Sequence, residues 1–232
     1  MKRIEDFDFQ VWDRNPIWNT LTADEKQDVK REVEIFSYHK NEIIFREGEI
    51  PTHVFLLISG KVRLLKEGIS NRPQLIRFVK PDDFFGYRAV ISGDFRNSTA
   101  NAFEASVISR LPKEVFLRII QGNGQFCYEM MVLMARNLAA SESQTVNLTQ
   151  KHIRGRLAES ILCLRKNYGM EDDNLTIAMH LSREDLANMS NMTTSNAIRT
   201  LSQFAQEGLV SVDGRSIRIL NEDALHRISR LG

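Results

Sequence analysis

Cysteine is scarce. The 232 residues hold only two, Cys127 and Cys163, far apart and without metal-ligand spacing. No disulfide framework, zinc finger or iron–sulfur cluster can be assembled from them within one chain. An excess of one charge sign is also missing: 31 Lys and Arg stand against 30 Asp and Glu, a net charge of +1. This excludes a histone-like coat for polyanions but leaves room for a local nucleic-acid-binding patch. Long apolar runs are absent, and stretches such as residues 54–58 are far too short to span a bilayer. The N-terminal MKRIEDFDFQVW is acidic and has no apolar core of a secretory signal. A cytoplasmic protein is the simple expectation. With no low-complexity stretch, no fixed repeat and 42% hydrophobic residues, the chain can bury one large core or two small ones.

What is present changes texture twice. From about residue 34 to residue 110 short apolar runs alternate with turn residues. Ile43-Ile44-Phe45 precedes Glu47-Gly48-Glu49; residues 54–58 stop at Ser59-Gly60; Val62-Arg63-Leu64-Leu65 runs to Glu67-Gly68. Residues 75–79 end at Lys80-Pro81, and residues 105–111 end at Pro112. Closely spaced short strands predict an antiparallel barrel or sandwich.

Between about residues 125 and 150 glycine and proline vanish and the period becomes helical. Cys127, Met131, Met134, Leu138, Ser141, Thr145 and Leu148 follow alternating steps of four and three, the a/d seam of a helix that asks for a partner. Two identical chains pairing here would form a twofold dimer. One amphipathic helix packed on its own domain is the alternative, and it stays open; the polar Ser141 and Thr145 favour the seam.

The C-terminal third is the most specific. Ser182-Arg183-Glu184-Asp185 reads as a capping box opening a short helix with Leu186 and Met189 apolar, followed by a turn at Ser190-Asn191-Met192. Thr193 caps a second helix expected to run to Glu207, with Gly208 placed to end it in a left-handed conformation. Ala197, Ile198, Leu201, Phe204 and Ala205 form its expected buried stripe, against an outer face of Ser195, Asn196, Arg199, Ser202, Gln203 and Gln206. Residues 209–212 and 216–220 flank Asp213-Gly214, a strong hairpin signal. Two short helices, a tight turn and a hairpin predict a winged helix-turn-helix; an ordinary small helical subdomain is the plainer alternative.

Such a helix enters the major groove with its N-terminal residues at base edges. Arg199, one turn in, has the fork that pairs with guanine O6 and N7. Ser195 and Asn196 offer short side chains to bases or phosphates, while Arg183, Thr193 and Thr194 suit phosphates. Lys151, Arg154, Arg156, Arg165 and Lys166 against Glu159 form a basic cluster, either a phosphate-facing patch or a solvated helix face.

In this order the pieces resemble the cyclic-AMP receptor protein and fumarate–nitrate regulator family of bacterial transcription factors, over roughly residues 34–220. The resemblance is carried by Ile44-Phe45-Arg46-Glu47-Gly48-Glu49 with Val54-Phe55-Leu56-Leu57-Ile58-Ser59-Gly60-Lys61-Val62, by Met134-Ala135-Arg136-Asn137-Leu138, and by Leu181-Ser182-Arg183-Glu184-Asp185-Leu186-Ala187 with Ala197-Ile198-Arg199-Thr200-Leu201. It implies an α+β protein: an effector-sensing, cyclic-nucleotide-binding-type β-barrel (jelly roll) over residues 1–122, a dimerisation helix over 123–150, and a winged helix-turn-helix over 151–232. By resemblance the effector contacts fall at Gly86, Tyr87, Arg88, Arg96, Asn97, Ser141 and Glu142. The pattern is broken there. The stretch Phe84-Phe85-Gly86-Tyr87-Arg88 lacks the glutamate that takes a ribose hydroxyl, Arg96-Asn97 keeps only the guanidinium, and Ser141-Glu142 replaces an adenine-reading Thr-Ser pair.

Cyclic AMP in the usual mode is therefore disfavoured, and an iron–sulfur cluster lacks its cysteines. Haem would need an axial ligand, which His39, His53, His152, His180 or His226 would have to supply. Arg96 is otherwise read as a surface loop arginine. At the start of the recognition helix Thr194-Ser195 stands where resembling members have Arg-Glu, so a different operator is expected. The resulting expectation is a homodimeric, non-enzymatic regulator of transcription that binds a palindromic duplex DNA site, with RNA polymerase as a further partner open to it. A nucleotide- or partner-binding signalling module without DNA binding is the rival. An enzyme ranks last, since no P-loop, nucleophile elbow or zincin motif is present.

Overall fold

The computed structural model describes residues 1–68 and 73–231; residues 69–72, inside the expected barrel domain, and residue 232 lie outside the described residues. The chain divides into two compact units, Met1–Arg136 and Asn137–Gly232.

The first unit begins with β1 (Lys2–Ile4), two 3-10 turns (Phe9–Arg14 and Trp18–Thr20) and α1 (Ala23–Glu32). Thr22 accepts from the Glu25 amide and Glu25 returns a bond to Thr22, closing a capping box that starts α1. Then follow β2 (Glu34–Tyr38), β3 (Ile43–Phe45), β4 (His53–Ser59), β5 (Val62–Lys66), β6 (Gln74–Val79), β7 (Phe84–Phe85), α2 (Tyr87–Ser92), β8 (Thr99–Ala102), β9 (Ser106–Pro112), α3 (Lys113–Gly122) and the long α4 (Gly124–Gln150), whose residues from Asn137 onward fall in the second unit. The strands form two antiparallel sheets, ordered β1-β2-β9-β4-β7 and β3-β8-β5-β6. The expected barrel is thus an open pair of packed, jelly-roll-like sheets rather than a closed cylinder.

β4 explains the layering. Successive side chains point to opposite faces, so Phe55 and Leu57 enter the core between the sheets with Phe36, Phe45, Phe85 and Ile108. Val54, Leu56 and Ile58 face the other way, into a second core with Trp12, Trp18, Val29, Phe116 and Phe126. A strand buried on both sides reads as the continuous apolar run seen in the sequence.

The second unit contains α5 (Ile153–Tyr168), α6 (Arg183–Met189), α7 (Thr194–Gln206), β10 (Val210–Asp213), β11 (Ser216–Ile219) and α8 (Glu222–Leu231). β10 and β11 pair antiparallel from Val210↔Ile219 to Asp213↔Ser216, which leaves Gly214 and Arg215 as the loop. The turn therefore sits one residue later than the Asp213-Gly214 signal predicts. Gly214 takes φ +52° at the first loop position while Arg215 keeps an ordinary negative φ, as in a type II′ turn.

Candidate nucleic-acid interface and effector region

α6 and α7 are set by local chemistry. Ser182 accepts from the Asp185 amide at 3.0 Å, and Asp185 accepts from the Ser182 amide at 3.2 Å. Thr193 accepts from the Asn196 amide and caps α7. Between them Asn191 adopts φ +47°, a left-handed conformation that asparagine tolerates. The turn is clamped from α5: Arg156 donates to the carbonyls of Ser190 and Asn191 at 3.0 and 3.2 Å, and the buried Ser190 hydroxyl bonds Ser160 and the Leu186 carbonyl. At the far end Leu209 donates to the Phe204 carbonyl and Gly208, at φ +70°, to that of Ala205. That is a Schellman stop, made with a residue that carries no penalty for left-handed backbone.

α7 buries Ala197, Thr200, Leu201 and Phe204. The expected stripe is corrected at two places: Ile198 and Ala205 are exposed, and Thr200 takes the inner position. At 100° per residue, Thr200 lies on the same side as Ala197 and Phe204, whereas Ile198 and Ala205 sit on the flank. Of the residues singled out for DNA, Thr193, Thr194, Ser195 and Arg199 are exposed; Asn196 and Arg183 are half-exposed. Arg199 donates to the Asn196 side-chain oxygen at 2.9 Å, which presets its guanidinium along the helix surface. Not one carboxylate occurs from Thr193 to Gln206.

The basic cluster before the helix-turn-helix resolves into neither of its expected forms. Lys151 pairs with Glu159 at 2.9 Å, Arg154 makes a bidentate pair with Glu207 while lying over the Phe204 ring, and Arg165 pairs with Glu222. With Arg156 bound to carbonyls, four of its five cations are spent on holding the unit together. Arg218 likewise pairs with Asp173. Arg183, Arg199 and the exposed loop residue Arg215 have no carboxylate partner among the described residues. Arg215 was missed in the sequence because its place in the turn depends on the one-residue shift of the hairpin. The near-neutral charge of the unit thus conceals cations left over along the helix-turn-helix and hairpin.

On α4 the expected seam lies open. Met131 is 55% and Leu138 62% exposed, with Met134, Ser141 and Thr145 also exposed and Cys127 and Leu148 half-buried. The helix buries Phe126 and Met130 instead, in the core of the first unit. A period-3.5 apolar face is therefore left uncovered on a single chain.

In the effector region the expectations need two corrections. Arg96 is no surface arginine: it is 4% exposed, bonds the Gly86 carbonyl and, at 2.6 Å, that of His53, and stacks 4.4 Å above the Phe45 ring. Burial depresses its pKa to about 10, against an opposing pull from Glu49. Gly86, at φ +74°, leaves no room for a Cβ, which would meet Arg96 at 2.7 Å and Phe55 at 2.9 Å. Tyr87 is buried in the second core. Arg88 and Asn97 are exposed, and the Asn97 carbonyl accepts from Lys66. Ser141 and Glu142 belong to the other unit and are exposed on α4. The guanidinium that would take a cyclic nucleotide's phosphate is engaged with the Gly86 and His53 carbonyls.

Two family descriptions match the chain, the cyclic nucleotide-binding domain over residues 35–123 and the Crp-like helix-turn-helix domain over residues 155–228. The chain is 21% identical over 201 residues to the CRP-like cAMP-activated global transcriptional regulator of Mycobacterium tuberculosis, covering 86% of this chain and 90% of that one. It is 24% identical over 191 residues to the fumarate and nitrate reduction regulatory protein of Escherichia coli, covering 82% and 76%. The structure of FixK2 from Bradyrhizobium japonicum superposes with a TM-score of 0.76 at 25% identity, over 84% of this chain and 96% of that one. A cyclic-nucleotide-binding-type domain followed by this helix-turn-helix, in this order, makes the chain a member of the CRP/FNR family of DNA-binding transcriptional regulators.

Proposed function

We propose that the protein works as a homodimer, paired along Met131, Met134 and Leu138 of α4, and reads a palindromic duplex with the N-terminal half of each α7. The observation that carries this reading is the surface of α7: it is free of carboxylates and exposes Ser195 and Arg199, while Arg183 at the start of α6 and Arg215 in the hairpin loop have no carboxylate partner among the described residues. Arg199 takes a guanine edge in the major groove; Arg183, Thr193 and Thr194 hold phosphate oxygens and fix register. Arg215, at the hairpin tip, adds a phosphate contact. A twofold axis sets the half-sites about 34–36 Å apart. The relatives named above are transcriptional regulators, and the protein acts by binding rather than catalysis.

The N-terminal unit receives the signal that biases DNA binding, and cyclic AMP is not that signal through a phosphate contact, because Arg96 is already bonded to Gly86 and His53. Titration calorimetry of the purified dimer with cyclic AMP tests this: no heat of binding is expected, and tight binding overturns it. The DNA reading is tested by a salt-titrated shift assay against selected and scrambled duplexes. A sequence preference with a steep negative log–log salt slope supports it; equal binding to both duplexes contradicts it.

A further inference from the structure

The geometry points to Ile198 as a reader of a thymine methyl group in the operator, a specificity contact beside Arg199. This inference rests on the proposed presentation of α7 to the major groove. Ile198 is 46% exposed although it is large, apolar and next to the most outward part of the helix. Nothing in local propensity asks for it: a β-branched side chain is a poorer helix former than Ala, Lys or Gln, which an exposed helix position otherwise favours. Ala205, on the same flank two turns later, shows what an idle position on this helix tolerates.

Its neighbours on the helix surface are Thr194 and Ser195 one turn before and Ser202 one turn after, all small and uncharged. Ile198 stands about 100° around the helix from Arg199, and the longer Leu201 three residues on is buried in the core. Arg199, bonded to Asn196, leans toward the opposite flank. In the major groove the one apolar group offered by a base pair is the thymine C5-methyl. A stiff apolar side chain next to a guanine-reading arginine matches a thymine neighbouring the base pair that Arg199 contacts.

The test uses the full-length protein and a duplex selected by it from random-sequence DNA, then resynthesised with deoxyuridine at each thymine in turn. Deoxyuridine differs from thymidine only by the methyl group, so hydrogen bonds and charge stay constant. Losing one methyl contact weakens binding by about three- to five-fold, at one thymine per half-site. In Ile198→Ser that penalty vanishes, and in Ile198→Val it persists at reduced size. The wild-type measurement stands alone should a variant fold poorly. A selected duplex whose every thymine methyl is silent overturns the inference and leaves the DNA reading intact, as does a penalty retained in Ile198→Ser. Failure to select any sequence overturns both.

Discussion

Replacing Arg199 with alanine is the perturbation whose size follows most directly from the site. Its guanidinium is exposed and spends one donor on Asn196, which leaves the remaining N–H groups to face a base. A bidentate arginine–guanine contact contributes about 1–3 kcal/mol of discrimination. A dimer loses it twice, and contacts a helical turn apart add nearly independently, so Arg199→Ala costs about 2–6 kcal/mol against the full palindrome. Fold stability should change by no more than about 0.5 kcal/mol, since the side chain has no buried partner. Fluorescence anisotropy with the selected duplex, and with duplexes in which each G·C pair is replaced, measures both terms. The variant should lose preference at one base pair per half-site and keep it elsewhere. A variant that binds more weakly but with undiminished preference at every pair would reduce Arg199 to a phosphate contact, and would refute the placement of α7.

Other perturbations probe the remaining parts. Leu138→Glu sets a carboxylate into the exposed apolar seam of α4; sedimentation velocity should show single chains and DNA affinity should collapse, whereas an unchanged dimer would exclude that face. Arg96→Met leaves the Gly86 and His53 carbonyls without their donor and should cost the first unit about 2–3 kcal/mol, seen as a lower melting temperature; a neutral effect would mean that water replaces the guanidinium. His53 has a pKa below its usual 6.5 because of burial first, then Arg110 and Arg96, against opposing pulls from Glu34 and Glu114. The unfolded chain therefore binds the proton more readily, so the contribution of His53 is full above pH 6.5 and is lost as pH falls below it. Stability measured between pH 7.5 and 5.5 should decline less in His53→Gln than in the wild type.

Much of the DNA-binding half is legible in the sequence because its signals are local. The box at Ser182 and Asp185, the cap at Thr193 and the stop at Gly208 each depend on residues within one turn of each other, and each forms as read. Reading errors arise where position depends on tertiary fit. Ile198 and Ala205 satisfy an i, i+3/i+4 pattern, yet Thr200 is the residue that meets the core. The turn slips by one residue because the register with β10 favours Gly214 and Arg215 over Asp213 and Gly214. The basic cluster from Lys151 to Lys166 is opaque in sequence since its partners Glu207 and Glu222 lie more than fifty residues away.

In the first unit β4 is plain as an apolar run, while β8, Thr99–Ala102, is built of small and polar residues that carry little strand signal. The start of α1 carries a capping-box spacing of its own, Thr22 and Glu25, as local as the one at Ser182 and Asp185. Arg96 was the least legible residue. No pattern in the chain reveals that a loop arginine folds inward across Phe45 and Phe55 to close on two carbonyls.

The most direct test of the central claim is a hydroxyl-radical footprint of the full-length protein on its selected duplex, with the mass of the complex measured in parallel. Two protected stretches, related by twofold symmetry and centred about one helical turn apart, with two chains per duplex, are expected. A single asymmetric stretch, or one chain per duplex, would contradict it.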